Sequence, residues 1–228
     1  VSAAELAVRA TRALAAAGQA DMVWGHAAVR DPEGRGIWIK APGWGLEEVD
    51  ADRVQLVSFD AEVLVGTGAP HKECHIHLEI MRRRPDVHCT VHTHAQAAVA
   101  FASLDTPLLP VSHEATLFGG ADVPRFTLTG GLVENPDLGR ALADTLGDAP
   151  AALLPKHGLV AAGDGAGSAV MHAVLLDRAC QTQLMAMAAG PVRVYSDAAE
   201  AAAKRSQCWP PRQIDAGWNY LDRKGSSR

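Results

Sequence analysis

The stretch HKECHIHLEIMRRRPDVHCTVHTH, residues 71–94, decides how the rest of the chain is read. It holds six of the ten histidines, with the carboxylate Glu73 among the first three, and it ends on His92-Thr93-His94. Side chains alternate across a strand, so an extended segment here projects His92 and His94 to one face and Val87, Cys89 and Val91 to the other. Two imidazoles side by side point to a metal ion. Pro85 closes the preceding helix. The start of that helix near residues 70–72 puts Glu73 in its first turn, where the helix dipole favours an ionised carboxylate.

Catalytic zinc sites and their relatives use three protein ligands and keep one position open. The candidate third ligand is His157 in LLPKHGLVAAG, residues 153–163. There an apolar strand, residues 151–154, breaks at Pro155, and Gly158 lets the backbone turn close to an ion. An isolated histidine is more often structural than ligating. The HxH pair on a predicted strand, with a His-Gly turn downstream, is the pattern that favours ligation.

Glu73, the run RPDVHCTVHTH (residues 84–94) and KHGLV (residues 156–160) resemble the class II aldolase/adducin family, in order and spacing over nearly the whole chain. The resemblance implies an α/β fold: a single three-layer α/β/α domain around a mostly antiparallel central sheet, assembled as a homotetramer with sites between subunits. By position, His92, His94 and His157 resemble the family's metal ligands, for one divalent ion per chain (Zn, Mn or Fe). Glu73 resembles its acid/base residue.

Composition agrees with one substantial core: 228 residues, 24.0 kDa, 48% apolar. Residues 1–205 read as the family domain and 206–228 as a C-terminal tail. A net charge of −5 and a pI near 6.0 give no basic footprint, which argues against nucleic acid and anionic membrane as partners. No apolar run reaches membrane-spanning length and no signal-peptide pattern opens the chain, so the expected location is cytoplasmic. Cys74, Cys89, Cys180 and Cys208 lack CxxC spacing, as reduced thiols do; Cys74 is an alternative ligand by position, with buried filler the commoner role.

Along the chain, Ser2 and Glu5 form a capping-box pattern ahead of a helix running to Gly18. Strands are expected over residues 22–30 and 36–40, joined by DPEGRG, and over 54–59 and 62–65. Helices are expected over 73–84, 95–104, 135–146 and 169–189, with further strands over 123–128 and 159–162. The phosphate-handling aldolases of the family carry small hydroxyl residues where this chain has GHAAV (residues 25–29), APGWG (41–45) and HKE (71–73). The resemblance therefore implies a substrate that is not a sugar phosphate, with His26, His71 and Lys72 left as donors to a carboxylate. The family's aldolases place a proton-donating tyrosine near residues 108–120, often serving a neighbouring subunit. This chain offers His113-Glu114, a catalytic or a structural pair. Tyr220, in an aromatic tail that closes the pocket or docks on a neighbour, is a second candidate proton donor.

A divalent ion on three neutral imidazoles chelates a hydroxy- or oxo-carboxylate and withdraws electrons from the adjacent carbon. The expected function is a metal-dependent carbon–carbon lyase. In this reading it decarboxylates a small non-phosphorylated hydroxy-carboxylate, aromatic in some relatives, through a metal-stabilised enolate, with Glu73 managing a proton and His113 supplying one. Three alternatives share the fold: a class II-type aldolase on an unphosphorylated aldehyde, a non-haem iron oxygenase on an aromatic precursor, and a non-catalytic adducin-like module.

Overall fold

The computed structural model describes residues 1–118 and 122–227. Gly119 and Gly120, at the end of the segment 108–120, lie outside the described residues. Among the described residues, seven strands form one sheet: β1 (His26–Arg30), β2 (Gly36–Lys40), β3 (Val54–Ser58), β4 (Val63–Val65), β5 (Cys89–Thr93), β6 (Ala151–Leu154) and β7 (Gly158–Gly163). Their order is β4-β3-β2-β1-β5-β7-β6, with each neighbouring pair antiparallel. The central strands are buried on both faces because helices cover both. The described residues form eight helices, α1 (Ala3–Ala16), α2 (Cys74–Arg83), α3 (Gln96–Ala102), α4 (His113–Thr116), α5 (Pro136–Leu146), α6 (Ala166–Ala189), α7 (Ala198–Cys208) and α8 (Pro211–Ser226), the last two packed on other helices.

The period-two alternation of the strands sorts the core into two halves. Ala27, Val29, Cys89, Val91, Leu159 and Ala161 face α1, α3 and α6. Ala28, Val160 and Ala162 face α2 and α5. The result is the expected three-layer α/β/α arrangement. Close packing of α2 on α5 needs Gly139, where a Cβ would fall 2.6 Å from the His75 carbonyl oxygen. α8 packs against α1 and α6, and Arg9 pairs with Asp222 across the first of these contacts. Residues 206–226 thus complete α7 and supply α8.

Several boundaries differ from the sequence expectation. β1 starts at His26, not at residue 22, because Met22 and Gly25 take positive φ values of 47° and 76° and break the extended chain before it. The expected strand 123–128 is reduced to a single bridge, Arg125 to Leu153, at a segment whose Pro124 has no N–H to donate. Val87 packs in the α2/α5 half of the core, not with Cys89 and Val91, since β5 begins only at Cys89 and the alternation does not extend back past the turn. Glu73 is the residue capping α2, one position outside the helix, with φ −92° and ψ 21°. The capping box at Ser2 and Glu5 forms as read.

Candidate metal centre and its cavity

β5 delivers His92 on its α2-facing side, and the chain leaves the strand at His94. β7 begins one residue after His157, hard against the end of β5: a Cβ on Gly158 would lie 2.3 Å from the Thr93 carbonyl oxygen and 3.3 Å from His94 Cδ2. Glycine is required at 158 for this approach. The positive φ of the turn belongs to Lys156, at 66°, which corrects the expectation that Gly158 makes the turn. The three imidazoles meet with ring centroids 4.8 to 5.3 Å apart.

From the other side, α2 brings in Glu73. Its Oε1 accepts the Val133 N–H at 2.9 Å and lies 3.5 Å from His157 Nε2, while Oε2 lies 3.7 Å from His92 Nε2. One ligand atom from each of Glu73, His92, His94 and His157 falls within 4.8 Å of all the others. Burial by itself pushes the Glu73 carboxyl up, but the nearby His157 and His92 imidazoles and the Val133 N–H outweigh it and take the pKa down to about 2. Burial pushes His92 down to about 3, against the opposing pull of Glu73. The group is therefore an ionised carboxylate with His92 neutral, which is the protonation a cation needs.

The orientation of the rings is fixed from behind. His92 Nδ1 lies 2.9 Å from the Leu159 carbonyl oxygen, which only accepts, so Nδ1 carries the hydrogen and Nε2 is bare. His94 Nδ1 lies 2.9 Å from Asp21 Oδ2, giving the same tautomer. The Nε2 atoms of His92, His94 and His157 are all buried without a hydrogen-bond partner. Three buried imidazole nitrogens without partners, two of them bare by their tautomer, beside a carboxylate fit a divalent cation, and the cluster offers three imidazoles and one oxygen for it. Cys74 is buried and is not part of the group.

A cavity of about 700 Å³ opens beside the cluster, lined by Glu73, His94, His71 and Lys72 and by apolar walls that include Trp24 and Leu132. A second, of about 840 Å³, shares Asp21 and His94 and adds His157. Of the residues singled out in the sequence, Glu73, His71 and Lys72 thus meet the three histidines at one place. His26 lies behind the first cavity, fully buried, its Nδ1 2.6 Å from His77 Nε2. Burial, then the charges of neighbouring groups, holds His26 and His77 well below the usual imidazole range, so both are neutral. His77 bonds both His26 and Thr90. His113 and Glu114 open α4, where Trp209 Nε1 donates to the His113 carbonyl; Tyr220 stands exposed on α8. None of these three lines either cavity.

Asp21 and Lys40 were not visible as site residues. Asp21 lies 73 positions from His94 in the sequence, in no motif. Lys40 ends a strand pattern where a lysine is ordinarily solvated, yet it is fully buried, its Nζ donating to the carbonyls of Val23 and Trp44, and burial lowers its pKa to about 8. It ties together two segments of the cavity wall.

The family described as Class II Aldolase and Adducin N-terminal domain matches residues 5–184. A 3,4-dihydroxyphthalate decarboxylase from Arthrobacter keyseri is 30% identical over 199 residues, covering 79% of this chain and 77% of that protein. Among solved structures, the L-fuculose 1-phosphate aldolase from Glaciozyma antarctica PI12 superposes with a TM-score of 0.86 at 27% identity, over 99% of this chain and 88% of the other. An aldolase II superfamily protein from Pseudomonas syringae gives the same TM-score at 25% identity, over 99% and 92%. Fold, cluster and relatives agree: the chain belongs to the class II aldolase and adducin family, as a metal-dependent carbon–carbon lyase.

Proposed function

We propose that the chain decarboxylates a non-phosphorylated hydroxylated carboxylate, aromatic in character, using one divalent ion (Zn, Mn or Fe) held by His92, His94 and His157. The observation that carries this reading is the make-up of the cavity beside Glu73 and Asp21: apolar walls with Trp24 and Leu132, the Lys72 ammonium, the His71 imidazole that burial takes down to about 4, and no serine or threonine among its described lining residues. A flat ring bearing carboxylates suits such a cavity better than a sugar phosphate does. The relationship to a decarboxylase of a dihydroxylated aromatic diacid supports the same substrate class.

When bound, a divalent cation would supply Lewis-acid withdrawal of electrons from the carbon bearing the departing carboxylate. The protein residues do the rest. The apolar walls exclude water and stack the ring. His71 and Lys72 hold a carboxylate by charge-assisted hydrogen bonds. Glu73, ionised and fixed by the Val133 N–H, accepts the proton of the substrate hydroxyl at a carboxylate oxygen and returns a proton to the ring carbon as carbon dioxide leaves. His113, Glu114 and Tyr220 would take part only from a neighbouring subunit, which is the role a homotetramer would give them. A cytoplasmic location is part of the same reading.

The test is elemental analysis of the protein purified without added metal, followed by a screen of hydroxylated aromatic acids for carbon dioxide release. Glu73→Gln should abolish turnover and His92→Ala should lose the metal with the fold retained. Full activity in Glu73→Gln would remove the acid/base assignment. Cleavage of an aldol substrate without carbon dioxide release would move the chain to the aldolase reading, which the likeness to L-fuculose 1-phosphate aldolase favours.

A further inference from the structure

β6 and β7 are joined by a tight turn in which the His157 N–H donates to the Leu154 carbonyl at 3.0 Å, leaving Pro155 and Lys156 as its central pair. Pro155 suits the first of these places, because its ring fixes φ in the range that such turns require. Lys156 does not suit the second. Its φ of 66° is a left-handed conformation that crowds a Cβ against the neighbouring carbonyl, and glycine or asparagine is the ordinary occupant of such a place. Strain of this kind persists where the surrounding structure holds the residue.

The Lys156 side chain leaves the turn and crosses the loop of residues 129–133. A Cβ on Gly130 would lie 2.8 Å from Lys156 Cε, 3.2 Å from its Cβ and 3.4 Å from its Nζ, so the bare glycine is a groove along which the aliphatic stem rests. Lys156 is exposed, so its ammonium keeps its water while the methylenes cover the loop. Within the loop, Thr129 Oγ1 accepts the Gly131 N–H at 2.9 Å, and farther on the Val133 N–H donates to Glu73 Oε1, also at 2.9 Å. Val133 is fully buried, and Leu132 beside it forms part of the cavity wall. The turn that delivers His157 and the loop that holds Glu73 are thus in contact through one lysine stem.

We propose that Lys156 is a positioning residue for Glu73: its methylene stem, carried at the strained place of the turn before His157, lies in the Gly130 groove and fixes the loop whose Val133 N–H holds the carboxylate. A shorter residue relaxes the turn and releases the loop. The strain at Lys156 and the fixed carboxylate of Glu73 therefore come as a pair. The proton-transfer role of Glu73 rests on the lyase reading; the hold of Lys156 on the loop does not.

Amide hydrogen exchange of the full chain, metal-free and zinc-loaded, tests this by NMR, with zinc affinity and thermal unfolding measured on the same samples. Lys156→Asn keeps a residue at home in the left-handed turn and removes the stem. The Val133 amide should then exchange roughly 10-fold faster or more, while Tm is unchanged or raised and zinc affinity stays within a few-fold of wild type. The Phe126 and Leu153 amides, which donate to the Leu153 and Pro124 carbonyls where the same segment meets β6, should keep their protection. Lys156→Met retains a long stem without the charge and should restore wild-type exchange at Val133. Gly130→Ala fills the groove from the loop side; it should speed Val133 exchange in the wild type and add nothing in Lys156→Asn. Wild-type exchange at Val133 in Lys156→Asn overturns the proposal, as does equal loss of protection in Lys156→Met and Lys156→Asn. Additive effects of the Gly130 and Lys156 changes, or a fall in zinc affinity beyond ~10-fold in Lys156→Asn, would overturn it too, by showing that the lysine serves the His157 turn alone.

Discussion

Replacing Gly158 by alanine tests whether the junction of β5 and β7 sets the metal centre. The added methyl would lie 2.3 Å from the Thr93 carbonyl oxygen, where ordinary contact begins near 3.4 Å. The two strands must therefore part by roughly 1 Å at that point. Backbone atoms are met first, so no side-chain rotation relieves the clash, and the next contact is the His94 ring itself, at 3.3 Å. Overpacking of this kind costs about 1–3 kcal/mol, or roughly 2–12 °C in Tm for a chain of this size. The functional effect should be larger, because a ligand set tolerates only about 0.5 Å of displacement. His94 and His157 flank the wedge, so we expect metal affinity to fall at least ~10-fold. Thermal unfolding followed by circular dichroism, with metal affinity from competition against a chelator, measures both. Gly165→Ala is the control: a Cβ there meets nothing within 4 Å, at an extended φ of −169°. Wild-type metal affinity in Gly158→Ala would refute the argument that this close approach positions the histidines.

Asp21→Ala leaves His94 Nδ1 without its carboxylate, and we expect metal affinity to fall roughly 10- to 100-fold with Tm nearly unchanged, read by the same competition assay. Arg30 donates to the carbonyls of Met81, Arg84 and Val87, where α2 ends and turns toward β5. Arg30→Met strands these acceptors and should cost roughly 2–4 kcal/mol, seen as a lower urea midpoint at constant m. The hydrogen bonds from Arg35, together with Trp38, take the Asp31 carboxyl down to about 2 against the burial that raises it. Its folded pKa lies below the unfolded value near ~3.9, so its stabilisation is complete above that value and is lost as pH falls through about 2. Between pH 5 and 2 the wild type should lose more stability than Asp31→Asn, measured by urea unfolding across that range.

The parts of the fold legible in the sequence are those where one local signal decides. Ser2 and Glu5 announce the first helix, and His92-Thr93-His94 announces a strand whose alternation puts His92 on the α2-facing side. The cluster of Glu73, His92, His94 and His157 was legible because its residues sit in short motifs around tight backbone features. What escaped depends on contacts distant in sequence. Asp21 finds His94 only after β1 and β5 pair, and no residue pattern around Asp21 foretells that pairing. Lys40 looks solvated in IWIK, but the segments at Val23 and Trp44 fold over it and their carbonyls replace water. Residues 123–128 alternate like a strand, yet the proline and the limited pairing with Leu153 hold them to one bridge. His26 was legible as a polar residue near the site, while its buried contact with His77, and through it with Thr90, was not.

The hydrogen bond from His92 to the Leu159 carbonyl bears on how such a site changes over generations. Asp21, the partner of His94, is a side chain that a single codon change can remove or replace, so the hold on that imidazole is open to drift and selection. The partner of His92 is main chain. Every amino acid at position 159 presents the same carbonyl so long as β5 and β7 keep their register, and that register is enforced by the whole sheet. One imidazole's support is therefore adjustable and its neighbour's is inherited with the fold, which would let descendants retune a metal bound there while its anchor stays out of mutation's reach.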